Sequence, residues 1–470
     1  MTALRAFFAG RHTLLGVWLL LCALSAAATL RLTVFMVDPA RVSYSMVPDN
    51  EFLTAHSCFS AYIAAADQLE VRGTNIYDPA NYPRKGDDTK RRIPIGALEQ
   101  DKYEYPPPFL LLPKAFLLVS RDFRVVRALW FVMNVAVILG SMGALAAWIG
   151  GRRGLATALL APFCWASFNH LLMLQMGNVQ FVIIAMSIAA MVAFDKGQRA
   201  LGGALLAFAI GTKIFPGVLL LVLLVQRRFR DALFTIGFGL IFSVLFMAIA
   251  GVSPFLDFFS YQLPRLLSGE AFAFFKETLE SKAANNSIFG VPYRLQILGL
   301  VQDPDRIAPV LNRIYMVAVA AVTALVAWKG PKRVGLGEPP PGDTSRVAQG
   351  LMWLALLNLA TLQSPFGPPY VLLGTLWILT VWAPWGPGFW RTAALFAAGW
   401  LSIAVLIPKP LSLLLASGLI GQAAHLGINM AMLRWALRRG AGGKEGLTAN
   451  PGESSTPALL SSPSTGADPR

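Results

Sequence analysis

Groups that can exchange a proton near neutral pH are scarce in this chain, which has four histidines and three cysteines in 470 residues. His12 precedes one long apolar run and His425 lies inside another, which leaves His56 and His170 for a polar surface. His56 belongs to the least hydrophobic long stretch, Asp49–Leu118, which opens DNEFLTAHSCFSAYIAAADQL and ends YEYPPPFLLLPKAFLL. Asp49, Glu51 and His56 are therefore the candidates for a general base. An imidazole titrates near neutrality and can do that work with little tuning. Lys213, in TKIFP between apolar runs, is the candidate cation for an anionic group, because an ionisable residue at membrane depth is a functional candidate by default. Arg294 offers a second cation, and Asn178 and Gln180 can bind substrate hydroxyls. Each has a structural alternative. His56 can cap a helix, Asp49 and Glu51 can be solvated charges, Lys213 can snorkel, Arg294 can anchor at an interface, and the two amides can satisfy a turn.

The elements that must position these residues are apolar helices. The chain is 55% hydrophobic and 14% charged, against about a quarter charged in soluble domains. Runs such as 13–30, 128–149 and 231–250 approach the ~20 residues that cross a bilayer. The composition predicts an all-α polytopic membrane protein. The net charge of +15 would suit nucleic acid, but its arginines cluster in short loops (Arg152–Arg153, Arg227–Arg230, Arg438–Arg439). That is the positive-inside pattern and removes the need for a nucleic-acid partner. Cysteine spacing gives no CxxC, so neither a disulfide framework nor a structural metal is expected. No Walker lysine motif, no Gly-rich loop between strand and helix and no HExxH helix is present.

Taken in order, the first span is 13–36, with both termini cytoplasmic, and a first outer loop covers 37–120. Within that loop, Thr54–Leu69 reads as an amphipathic helix lying in the interface. Phe109–Val119 reads as a short helix along or dipping into the membrane. Spans follow at 124–149, 154–170 and 179–194, with 171–178 as a tight outer turn. Ala200–Val225 is predicted to enter, break around Lys213 and Pro216 and return, because a single crossing would leave the next basic loop outside. A span at 231–250 leads to a second outer loop, 251–307, whose phenylalanines suit a lipid tail. Five more spans follow at 308–328, 347–364, 368–385, 390–407 and 410–433. Residues 1–438 form the membrane domain, and 439–470 a disordered cytoplasmic tail. Asp87–Asp88 and Lys90–Arg92 read as a solvated hairpin tip. Two large polar loops on one face imply chemistry at the outer leaflet.

Several segments resemble glycosyltransferase family 87, which includes polyprenyl-phosphate-mannose-dependent mannosyltransferases. Tyr62-Ile-Ala-Ala-Ala66 followed by Asn75-Ile-Tyr-Asp-Pro79 resembles the family's first loop, and Tyr105-Pro-Pro-Pro-Phe109 its Tyr-Pro-Pro turn. Met176-Gly-Asn-Val-Gln180, Thr212-Lys-Ile-Phe-Pro216, Asn285-Asn-Ser287 with Gly290, and Ser364-Pro365 resemble later motifs in the family's order. Two positions depart from the pattern. Cys58 stands where the family usually has an aspartate, and Ser364-Pro365 is followed by no ionisable group before Tyr370. The resemblance implies a glycosyltransferase-C-like bundle of about 10–13 transmembrane helices with interfacial helices in its outer loops. It implies sugar transfer, mannose first, from a polyprenyl-phosphate donor to a lipid or envelope-glycan acceptor at the outer face of the plasma membrane, among membrane lipids and without cofactor or metal. It adds Tyr62, Tyr105, Asn286 and Ser287 to the substrate contacts. A transporter or flippase of a lipid-linked substrate, or a non-catalytic assembly partner, are the competing expectations.

Overall fold

A computed structural model describes residues 12–71, 73–82, 92–331, 344–404 and 410–441. Among these, five helices are long and apolar enough to cross a bilayer: α1 (His12–Val37), α5 (Phe123–Ile149), α12 (Phe229–Ala250), α17 (Pro304–Lys329) and α21 (Leu411–Ala441). Their ends follow local chemistry. The Asp122 carboxylate accepts from the Arg124 amide at 2.8 Å and starts α5, and the Asp303 carboxylate caps α17 in the same way. Gly150 and Gly251, both at φ 76°, close α5 and α12.

A sixth span counts if a bent pair is taken as one. α6 (Gly151–Leu159) and α7 (Ala161–Trp165) meet α8 (Phe168–Met176) at 70°. Residues 171–176 are thus helix rather than the expected outer turn, and only Gly177–Val179 turns. The other apolar helices are short: α9 (Gln180–Asp195), α10 (Arg199–Thr212), α11 (Gly217–Val225), α18 (Ser345–Thr361), α19 (Leu373–Trp382) and α20 (Phe389–Ala404). The expected 10–13 spans therefore correspond to five or six full-length ones plus shorter helices. Helices α9, α18 and α19 are almost wholly buried in protein. An apolar run records burial but not whether lipid or protein does the burying.

The break expected inside 200–225 is present, and the chain returns to the end it left. Arg228, just after α11, lies 2.8 Å from Asp195 at the end of α9 and 2.9 Å from Asp231, which in turn lies 3.3 Å from Arg199 at the start of α10. Helices α10 and α11 are therefore a hairpin with Lys213–Pro216 at its apex, and α9 and α12 flank its α10 arm. The pairing also shows that the Arg227–Arg230 cluster is not uniformly solvated, since Arg228 is buried.

The expected interfacial helix at 54–69 is different in kind. It divides into α2 (Glu51–Ala55), a two-residue strand β1 (His56–Ser57) and α3 (Cys58–Gln68). β1 pairs in parallel with β2 (Glu99–Gln100), His56 opposite Glu99. The apolar face of α3 packs on α5, where Phe59 stacks on Trp130 at 4.8 Å. Its other face carries small residues and receives the 99–105 segment, so nearly every position is buried. Burial on both faces is why α3 lies inside the protein and not along the membrane surface. The short helix expected at 109–119 is present as Pro107–Leu110 followed by α4 (Leu111–Val119), with Leu118 and Val119 exposed.

The second large loop holds α13 (Ser253–Asp257), α14 (Leu263–Ser268), α15 (Leu279–Ala284) and α16 (Val291–Ile297). It meets the first loop where Phe258 packs on Tyr77, 5.8 Å between centroids. Of the expected hairpin tip, 87–91 lies outside the described residues, while Arg92 is 3.0 Å from Asp67 and does not end in solvent alone. Helix α21 runs to Ala441, and the expected tail beyond it also lies outside the described residues.

Candidate active site

Five chain segments converge on one cluster of polar side chains. The β1–β2 pair sets the first two side by side. Ser60 secures the joint, donating to the Ser57 carbonyl at 2.6 Å and accepting from the Asp101 amide at 2.9 Å. This places Asp101 Oδ2 3.6 Å from His56 Nε2, with Cys58 Sγ also 3.6 Å from that nitrogen. The third segment is the turn after α8. Asn178 Nδ2 contacts Cys58 Sγ at 3.4 Å and donates to Tyr370 Oη at 3.1 Å, which brings in the 364–370 turn as the fourth. Asn178 Oδ1 accepts from the Gln180 amide at 2.9 Å and fixes the start of α9. Gln180 Oε1 then accepts from Lys213 Nζ at 2.8 Å, which adds the hairpin apex as the fifth. The Lys213 ammonium stands 5.0 Å from the centre of the Tyr105 ring, and Tyr105 is bonded to Tyr62 through their hydroxyls at 2.9 Å.

One glycine makes this convergence possible. Gly177 ends α8 with φ 69°, a left-handed conformation that disfavours other residues, and a Cβ there would lie 2.7 Å from the Phe59 Cβ. Trp130 donates to the Gly177 carbonyl at 3.0 Å and holds the turn from beneath.

The electrostatics follow from burial and neighbours. Burial by itself would lower the His56 pKa, but the Asp101 carboxylate and the Cys58 and Glu99 groups outweigh it and raise it to about 9. His56 is thus an imidazolium near neutral pH. Burial, reinforced by Asp101, pushes Glu104 well above the usual carboxylate range, against the pull of Lys102 and Lys213. Burial likewise keeps Tyr62 and Tyr105 neutral phenols.

Of the residues singled out from the sequence, His56, Tyr62, Tyr105, Asn178, Gln180 and Lys213 are brought together. Asp49 and Glu51 are exposed at the start of α2, where the Asn50 side chain caps the helix. Asn286, Ser287 and Arg294 belong to a different junction. There Asn285 Oδ1 accepts from Ser287 Oγ at 2.8 Å and the Gly367 amide at 2.9 Å, and Ser287 Oγ lies 3.1 Å from the Pro365 carbonyl. Asn286 Nδ2 donates to the Ala284 carbonyl. Arg294 is fully buried and bonded to Gln422 of α21. Their polar groups fasten the 362–368 turn to the second loop and α21. His170 is buried against Trp165, 4.5 Å between ring centres.

Sequence reasoning missed Asp101, Glu104 and Tyr370 as members of the pocket, and treated Cys58 only as a departure. Asp101 and Glu104 immediately precede the Tyr105–Pro turn, and that adjacency was the available signal. Among the described residues, His56, Cys58 and Asp101 also form a group whose potential ligand atoms lie within 4.8 Å of one another.

A helical bundle with several full-length apolar spans, and a buried cluster of carboxylates, amides, phenols and a lysine between them, is the architecture of a multi-pass membrane protein. Residues 103–337 match the family model of glycosyltransferase family 87. That is half of the chain, and the protein belongs to this family: it is a glycosyltransferase rather than a transporter. The matched region includes Glu104, Tyr105, Asn178, Gln180 and Lys213, and leaves His56, Cys58 and Tyr370 outside it. Neither a curated protein nor a solved structure matches the chain.

Proposed function

We propose that the protein moves a sugar, mannose first among candidates, from a polyprenyl-phosphate donor to a hydroxyl of a lipid or envelope-glycan acceptor at the extracytoplasmic face of the plasma membrane. The observation that carries this reading is the Lys213 ammonium at the apex of a helical hairpin, bonded to Gln180 and set against the Tyr105 ring. An apolar groove of about 260 Å³, lined by Phe208, Gly211, Leu220, Ile236 and Phe242, opens beside the same apex and suits a prenyl chain.

In the reaction the acceptor oxygen bonds to the anomeric carbon as the carbon–oxygen bond to phosphate breaks. The departing phosphate gains charge, which Lys213 offsets. The hydroxyl proton needs a base that is not already protonated. With Asp101 and Cys58 both at its Nε2, His56 is not the free base this step needs. Glu104, a carboxylate made more basic by burial, is the base in this reading, in place of Asp49 and Glu51 at the exposed start of α2. Tyr62, Tyr105, Asn178 and Tyr370 orient the sugar.

The test is transfer from radiolabelled polyprenyl-phosphate-mannose to membrane lipids by wild type, Lys213→Met and Glu104→Gln. Both substitutions are expected to cut transfer at least 100-fold. Full transfer by both would overturn the assignment of the centre, and no transfer by wild type from any mannosyl carrier would overturn the donor.

A further inference from the structure

His56 Nε2 stands between two partners, Cys58 Sγ within hydrogen-bonding reach for sulfur and the Asp101 carboxylate slightly beyond it. An imidazole–carboxylate hydrogen bond is about 2.7–3.2 Å long, yet His56 Nε2 and Asp101 Oδ2 are 3.6 Å apart, and the same nitrogen is 3.6 Å from Cys58 Sγ. These two separations match edges of a tetrahedron around a zinc ion, while the third side, between Cys58 and Asp101, lies within 4.8 Å and must shorten when an ion is bound. With Zn–N and Zn–O near 2.0–2.2 Å and Zn–S near 2.3 Å, neighbouring ligand atoms lie about 3.4–3.6 Å apart. All three ligand atoms fall within 4.8 Å of one another.

From this geometry we propose that His56, Cys58 and Asp101 form a binding site for a divalent ion of the zinc type. The donor set of one imidazole, one thiolate and one carboxylate selects a borderline ion over Mg²⁺ or Ca²⁺, which prefer oxygen alone. Its formal charge of −2 neutralises the ion, which suits a site where Cys58 is buried. The ligands are held by rigid parts: β1 and the first turn of α3 carry two, and the parallel pairing with β2 fixes the third. The Asn178 amide, 3.4 Å from Sγ, is placed to donate to a thiolate and so supports it from the second layer. Three protein ligands leave a fourth position open, bordered by Asn178 and Tyr370, as in sites where the ion meets a ligand and not only a fold. Such a site runs against the expectation of a metal-free enzyme. It uses neither Glu104 nor Lys213 as a ligand.

The experiment reads the metal by itself. Full-length protein in detergent is stripped with chelator and titrated with Co²⁺. Wild type is expected to take up one equivalent, with a thiolate-to-cobalt charge-transfer band in the near ultraviolet and strong tetrahedral bands in the visible. Zn²⁺ should displace it stoichiometrically and excess Mg²⁺ should not. Cys58→Ser should abolish the charge-transfer band, and His56→Ala and Asp101→Asn should each weaken binding at least tenfold. A Cys22→Ser/Cys164→Ser double variant should behave as wild type. Absence of the band in wild type, or its survival in Cys58→Ser, overturns the site. Because the readout is optical, either result stands whatever the transfer assay gives.

Discussion

At the scale of single residues, the site combines a cation held by a hydrogen bond to Gln180 with a carboxylate that burial makes more basic. Lys213 gains rigidity from Gln180 and the Tyr105 ring. Removing a preorganised charge aimed at a developing anion costs about 10²–10³ in rate, so Lys213→Met should lose at least that in kcat, with Lys213→Arg partly restoring it. Glu104→Gln should cost about 10²–10⁴. The pH profile carries the sharper test. A base works deprotonated, and Glu104 binds its proton more tightly than an ordinary carboxylate because of burial and Asp101, with Cys58 acting in the same direction and Lys102 and Lys213 opposing. Transfer by wild type should therefore rise with pH on a limb displaced above the usual carboxylate range. A limb at the ordinary carboxylate position, or one unchanged in Glu104→Gln, would move the role elsewhere. His56 and Lys213 could be singled out from composition alone, since polar groups are rare in such a chain. Asp101 and Glu104 could not, because carboxylates in a charged loop look alike until a strand pairing selects two of them.

At the scale of elements, two devices hold the pocket, and each makes a prediction. Gly177 lets α8 stop against α3. Gly177→Ala adds a left-handed penalty of about 1–2 kcal/mol and an overpacking cost of about 1–3 kcal/mol against Phe59. It should lower the melting temperature in detergent and reduce transfer by displacing Asn178, whereas Gly73→Ala, at a φ of 78° with open space around it, should lower stability without the second effect. The end of α3 is tied down by ions. Asp67 lies 2.6 Å from Arg121, and Glu70 lies 2.6 Å from Lys114 of α4 and 2.9 Å from Arg121. Hydrogen bonds from Lys114 and Arg121 hold the Glu70 pKa down at about 2, below an ordinary 4.5. A depressed carboxylate contributes stability above its unfolded pKa and loses it as pH falls through the folded one. The contribution should be complete above about pH 4.5 and vanish toward pH 2. Glu70→Gln should remove that dependence and lower the melting temperature at neutral pH. An unchanged melting curve would show that the tie is idle.

At the scale of the whole molecule, the arrangement depends on a hairpin that returns to its starting face. Asp195, Arg199, Arg228 and Asp231 close its open end in a largely buried ion cluster. Removing one member of such a cluster strands the others, at a cost of about 3–5 kcal/mol. Arg228→Ala should accordingly destabilise the fold far more than Arg230→Ala. The hairpin also sets sidedness: Lys196→Cys and Arg230→Cys, both exposed, should react with an impermeant thiol reagent from one side of the membrane, and Asp49→Cys from the other. Labelling of Lys196→Cys and Arg230→Cys from opposite sides would break the hairpin reading, and with it the common pocket.

The sequence by itself determined the class of molecule, the order and approximate bounds of its apolar helices, the break at Lys213 and the family. These are consequences of local pattern: run length, charge placement and a handful of short motifs in order. Only the tertiary structure decided which helices are sheathed by protein rather than lipid, that Cys58–Gln68 is an inner helix, and that Arg294, Asn286 and Ser287 fasten a loop junction apart from the pocket. It also decided that Asp101, forty-odd residues along the chain, stands against His56. Partner choice between distant segments depends on which surfaces meet when the chain closes, and hydrophobic periodicity carries no record of that.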